Sequence, residues 1–283
     1  MRAVSLIFRH IFRSIGRRVF TSVPGRRLPA PVAGLLLLAL LGAAAPVAAV
    51  EPLTVVDLSA EADTPAGAPM AAWLKRQAGR WEVKFGAPEY FLIQGGSLHL
   101  VARPGPASSS ILLWKLLKRE DKVILRITPS GFRVHPAEHR HLEVTMAPLR
   151  LPGKGADVTD SDRNDACFYL LVAFDGPRHF YQGQRIADTV AYVWADGAWK
   201  TGEEVGRERK YGAFMRYLAL GRGAERQGQL RTLVRDVQAD FRLAYPERAA
   251  GGVPDVVELG LMVDSNTVKS EAESLLRSVR FLP

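Results

Sequence analysis

Cysteine is almost missing from this chain: Cys167 is the one thiol in 283 residues. No intramolecular disulfide is available, so a folded domain must rest on a hydrophobic core. Internal repeats and low-complexity blocks are missing too, which excludes repeat architectures. So are the common hydrolytic signatures: there is no Gly-x-Ser-x-Gly, no His-Glu-x-x-His and no glycine-rich loop leading into a basic helix. Acidic residues are absent from positions 1–49, which carry seven arginines (Arg2, Arg9, Arg13, Arg17, Arg18, Arg26 and Arg27).

Those arginines run into the uncharged stretch AGLLLLALLGAAAPVAA. A basic segment, an apolar segment and small residues before Val50 read as an export signal over residues 1–49, with cleavage after Ala49. The run GRRVF at 16–20 resembles a twin-arginine signal, and ordinary unfolded secretion fits the same segment. Eighteen uncharged residues from Ala33 to Val50 are at the short end of a membrane span, so the membrane enters only through an uncleaved leader. Removing the leader takes seven of the 38 Lys and Arg and none of the 29 Asp and Glu, leaving a net charge of +2. The pI near 9.9 therefore belongs to the leader and points to no nucleic-acid partner. The expected location is the periplasm or the cell exterior.

Beyond a short N-terminal extension at 50–69, residues 70–283 read as one mainly β domain. Tyr90–Gln94 and Ser97–Arg103 flank Gly95-Gly96, a two-residue hairpin signal. Further strands are expected at 111–116, 123–127, 141–146, 166–174, 188–194, 214–220, 256–263 and 278–282. Gly, Pro and Asp clusters punctuate them, as in an antiparallel, jelly-roll-like β-sandwich. Residues 166–174 are apolar on both faces, as a strand covered on both sides would be. Leu230, Leu233, Val234, Val237 and Phe241 follow helical spacing and predict one covering helix near residues 229–245, ended by Pro246. Residues 268–277 read as one or two helical turns before the last strand.

Asp157, Asp160, Asp162, Asn164 and Asp165 form an acidic loop. Oxygen ligands at alternate positions can converge on Ca²⁺, but no EF-hand fits, and a turn whose carboxylates cap local amides is the favoured reading. No metal ligand or cofactor is assigned. His135, His139 and His141 crowd one segment. As strand residues His139 and His141 would share a face and could share a metal. Pro136 argues against a helix that would align His135 with His139, and no third ligand is apparent, so an exposed strand edge is the favoured reading. Cys167 lies in an apolar run and reads as a buried structural residue. Glu203-Glu204 reads as a turn. Tyr169, Tyr192 and Trp194 have two readings: core between sheets, or flat apolar surfaces with polar tips suited to sugar rings on an open sheet face. On the second reading Arg216 and Asp240 add hydrogen bonds.

From Asn164 onward the order of features resembles an uncharacterised family of exported bacterial proteins, domain of unknown function 3047. Asn164-Asp165 before ACFYLLVAF, the run AYVW at 191–194, LVRDVQADF at 233–241 and LGLMVDSNT at 259–267 before SVRF carry the resemblance. Asn164 stands where that family has an acid, Tyr169 where an arginine is expected, and Asp264 alone remains of an aspartate pair. His139-Arg140-His141 replaces a tryptophan-rich strand. The resemblance implies a jelly-roll-like sandwich similar to carbohydrate-binding modules and no established reaction. The function expected is a non-catalytic envelope protein binding a glycan or similar polar ligand. The alternatives are a polysaccharide hydrolase or lyase acting through Asp165 and Asp264, and a protein-docking scaffold.

Overall fold

A computed structural model describes residues 49–63, 82–85, 91–103, 122–128, 131–153, 155–160, 162–181, 184–196, 213–224, 226–265, 267–268 and 270–283. Residues 1–48 of the expected leader, the strand expected at 111–116 and Glu203-Glu204 lie outside them.

Alternation of apolar and polar side chains builds two six-stranded sheets. The first contains β1 (Leu53–Asp57), β3 (Phe91–Ile93), β4 (Leu98–Ala102), β6 (His141–Arg150), β10 (Arg231–Asp236) and β12 (Ala272–Leu282). The second runs β2 (Glu82–Phe85), β5 (Lys122–Arg126), β11 (Val256–Asp264), β7 (Ala166–Tyr181), β8 (Gln184–Ala195) and β9 (Met215–Arg222) in that spatial order. Leu98, Leu142, Val144 and Phe281 of the first sheet and Phe168, Leu170, Val190 and Leu261 of the second share one buried core. The protein is a β-sandwich, and its stability comes from this apolar interior.

The hairpin at Gly95-Gly96 forms as expected. Ile93 pairs with Leu98, Gln94 and Ser97 exchange backbone hydrogen bonds of 2.9 and 3.1 Å, and both glycines have positive φ, 55° and 65°. A type I′ turn requires that left-handed backbone at both central positions. A Cβ on Gly96 would also sit 2.8 Å from the Ser59 carbonyl oxygen.

Strand β7 buries both faces. Phe168, Leu170, Val172 and Phe174 enter the inter-sheet core, while Ala166 and Tyr169 join Ala191, Val193, Tyr217, Met262 and Val158 in a second cluster on the other face of the sheet.

Four expectations are corrected. Not every strand pair is antiparallel, because β8 and β9 run parallel, with Tyr192 opposite Leu218. Parallel neighbours need a long crossover, and the chain between Ala195 and Met215 supplies the length. The expected helix 229–245 is half strand: β10 occupies Arg231–Asp236, and the helix α1 covers only Val237–Ala244. Asp236 accepts from the Ala239 amide at 3.0 Å as the N-cap and separates the two states. Leu233, Val237 and Phe241 still reach the core, so helical spacing is satisfied by a strand followed by two turns of helix.

Residues 272–277 extend the last strand instead of forming helical turns. Ala272, Ser274 and Leu276 are buried, then Val279 and Phe281. A register shift between Leu276 and Ser278 changes which parity faces inward, and this bulge hides the period of two from the sequence. Finally, β1 lies within the segment read as an N-terminal extension. Leu53 pairs with Phe281, so the sandwich starts before residue 70.

Candidate functional site

The register of β7 and β8 decides the fate of the nominated aromatics. Leu170 pairs with Tyr192, Phe168 with Trp194 and Tyr169 with Val193. Paired residues share a face, so Tyr169 points away from Tyr192 and Trp194. None lines an open face, since Tyr169, Tyr192 and Trp194 are 1, 0 and 3% exposed. Tyr169 donates its hydroxyl to the Asn164 carbonyl, and burial together with the charge of Asp264 pushes its pKa well above the usual phenol range. Trp194 donates Nε1–H to the Gly223 carbonyl at 3.1 Å.

Asp240 is likewise an internal group. The hydroxyl of Tyr192 donates to its Oδ2 at 2.8 Å. Arg235 grips both of its oxygens, Nε to Oδ2 at 2.9 Å and Nη2 to Oδ1 at 2.5 Å. Tyr192 sits on one sheet, Arg235 on the other and Asp240 on α1. The triad joins the two layers.

Arg216 leads elsewhere, to the base of the hairpin arm formed by β7 and β8. Its guanidinium lies 4.9 Å from the Tyr245 ring centroid, and that of Arg248 lies 5.2 Å from the same ring. Tyr245 is a rigid platform because its hydroxyl accepts from the Thr189 amide at 3.1 Å and lies 2.9 and 2.8 Å from the carbonyls of Thr189 and Phe214. Asp188, with its side chain 3% exposed, is held between His179 Nε2 at 2.8 Å and Arg248 Nη1. Glu247 approaches Arg216 at 3.9 Å. Burial, then the charges of Arg248 and Arg216, lower the pKa of His179, which keeps the imidazole neutral at pH 7.

The orientation of Arg248 carries chemical meaning. Its polar contacts to described residues, with Asp188 and His179, go through Nη1, and its side chain is 25% exposed. Nε and Nη2 are not among the buried, unpaired polar atoms. Among the described residues the side-on edge of the guanidinium meets no acceptor, and that edge is the one with which arginine binds carboxylate or phosphate through two parallel hydrogen bonds.

Of this cluster only Arg216 was nominated from sequence. His179, Asp188, Tyr245 and Arg248 were missed, because three distant segments supply them. One signal was present: a two-residue turn at Gln182-Gly183 would have placed Tyr181 opposite Gln184, as observed, and His179 on the face of Asp188.

Elsewhere, polar groups are spent on structure. Asp157 Oδ1 accepts from the Thr159 amide at 2.9 Å and its hydroxyl at 2.7 Å. Asp160 accepts from the Asp162 amide at 3.0 Å and from Arg163 Nε at 2.9 Å. Asp165 is fully buried and accepts from the amides of Thr267 and Val268 at 2.7 to 3.1 Å, clamping the turn after β11. Asp264 is also buried. His135 binds Asp255 at 2.5 Å, while His139 and His141 reach the carbonyls of Glu51 and Pro283 at 3.0 and 2.8 Å. His139 lies outside β6, so the three imidazoles do not converge. Among the described residues no group of three His, Cys, Asp or Glu side chains is arranged to hold a metal. Cys167 is buried, its thiol pushed up beyond the range of a reactive group by desolvation.

Residues 150–280 match the family described as a protein of unknown function (DUF3047). The match begins at the end of β6 and takes in β7 to β11 and nearly all of β12, including every member of the Arg216 cluster. No curated protein matches the chain.

Proposed function

We propose that this DUF3047-bearing chain is an exported, non-catalytic β-sandwich that binds an acidic glycan or a similar polar envelope ligand. The contact is Arg248, 25% exposed and backed by the buried Tyr245 and Arg216, in place of the buried surfaces of Tyr169, Tyr192 and Trp194. The carrying observation is Arg248, pinned through Nη1 and backed by an aromatic ring, with its Nε/Nη2 edge making no polar contact among the described residues. A side chain oriented before binding loses less entropy on meeting its ligand. A uronate or phosphate group supplies the matching pair of oxygens. Export rests on the arginine-rich, acid-free leader and its apolar run.

A binding role is favoured over catalysis by His179. Among the described residues it meets a carboxylate, a guanidinium and the Phe214 ring, with no hydrogen bond to a hydroxyl or thiol it could activate. A glycan array holding uronate-containing, phosphorylated and neutral saccharides tests the reading. Binding is expected to acidic members only and to fall at least about tenfold in Arg248→Lys, which keeps the charge and loses the fork. Binding to no glycan sinks the function, and unchanged binding by Arg248→Lys sinks the site. N-terminal sequencing of material from cell fractions tests export, with a start near Val50 expected outside the cytoplasm.

A further inference from the structure

Beyond Asp175, whose amide still donates to the Asp255 carbonyl at 2.7 Å, the β7–β8 hairpin extends past its sheet neighbours. Pairing resumes after a register shift, from Arg178 opposite Ala187 to Tyr181 opposite Gln184. Neither β11, whose pairing with β7 ends at Phe174, nor β9, whose pairing with β8 starts at Thr189, reaches this part. The two-stranded arm has distinct faces. His179 and Ile186 share the inner one and are partly buried, and His179 ties the arm to Asp188. Phe180 and Arg185 pair on the outer face, and Arg178, two residues away, joins them.

Phe180 is 79% exposed, and both arginines are exposed as well. Among the described residues neither arginine is in a salt bridge. The acid at the base of the arm, Asp175, is taken by Arg133 at 2.8 Å. Among the described residues, the outer face therefore presents one aromatic ring beside two positive charges without an acidic partner, on a ribbon held from behind.

We propose that this face docks on an anionic lipid surface, Phe180 entering the interfacial layer while Arg178 and Arg185 pair with headgroup phosphates. The charge is complementary to such a surface. An aromatic body flanked by guanidiniums suits the boundary between acyl chains and headgroups. A specific protein partner is a poorer fit, because a stable interface buries roughly 800 Å² on each side, far more than one ring and two side chains on a narrow ribbon offer. A bilayer needs no matching pocket. The face is opposite His179 and independent of the acidic-ligand reading.

The test uses the whole protein, with the same N-terminus in every variant. Vesicles of phosphatidylcholine, with and without phosphatidylglycerol, are added, and amide exchange is read over residues 178–187. Protection of the arm is expected only with phosphatidylglycerol, fading at high salt. Serine at Arg178 or Arg185 should weaken vesicle binding by about fivefold each, and Phe180→Ser by at least about tenfold. All three side chains are exposed, so the melting curves should not move. An arm that stays unprotected on vesicles bound by the rest of the chain overturns the proposal, as does wild-type binding by Phe180→Ser. Equal protection by inorganic phosphate alone identifies a soluble-anion site and overturns the lipid surface.

Discussion

Tyr192 donates its hydroxyl to Oδ2 of Asp240 across 2.8 Å inside the sandwich. That contact links β8 to α1, and through the grip of Arg235 on the same carboxylate it links the two sheets. A group suited to a sugar hydroxyl on an open surface here satisfies a buried charge.

Removing each partner should separate the parts of this triad. Tyr192→Phe deletes one hydrogen bond to a carboxylate that Arg235 still pairs, so the expected loss is about 1.5–3 kcal/mol. Asp240→Ala strands the half-buried guanidinium and should cost more, ~3 kcal/mol or above. Urea unfolding at neutral pH measures both. Equal losses would show that Arg235 finds water or another partner.

Trp194 and Gly221 pair across β8 and β9, and a Cβ on Gly221 would lie 2.6 Å from the Trp194 ring. Gly221→Ala should cost about 1–3 kcal/mol from overpacking, and Trp194→Ala about 3–5 kcal/mol from the cavity it leaves. The double variant should lose less than the sum, because alanine at 221 grows into vacated space. Additive losses in urea melts would refute the contact.

Stability should also respond to His179. Burial and the neighbouring arginines hold its folded pKa below the ordinary value, and Arg248 already matches the charge of Asp188. The unfolded chain then binds the proton more readily than the folded one. Stability should fall as pH drops below about 6.5 and level off once the folded imidazole is itself protonated. Melting curves from pH 8 to 5 should show this slope in the wild type and a smaller one in His179→Gln.

Chelation should leave the melting temperature unchanged. The carboxylates of Asp157 and Asp160 already serve Thr159, Asp162 and Arg163, and a bound cation would have to displace those bonds. A drop of roughly 2–4 °C on adding EDTA, the size expected when a tight ion is lost from a domain of this length, would restore calcium to the loop.

Local chemistry was legible and long-range register was not. Gly95-Gly96 announced its hairpin because few residue pairs accept positive φ twice. The apolar run at 166–174 announced a strand covered on both sides. The boundary between β10 and α1 was obscured because Leu233, Val237 and Phe241 satisfy a helical repeat whichever state Leu233 adopts. The faces of Tyr169 and Tyr192 depend on a pairing between strands that composition does not report. The same holds for His179, Asp188 and Arg248, whose meeting depends on a hairpin and on the turn that follows α1.

Strand β12 is the last described strand in chain order, yet it lies inside its sheet, with β6 along one edge and β4 and β1 along the other. Synthesis therefore delivers the centre of that sheet after its other described strands. Until residues 272–282 emerge, β1, β4 and β6 lack the partner that joins them, and their open edges can pair with other chains. The layer cannot be assembled strand by strand as the chain appears. It closes in a late step that brings Leu53 to Phe281, so this layer commits to its shape only once β12 has emerged.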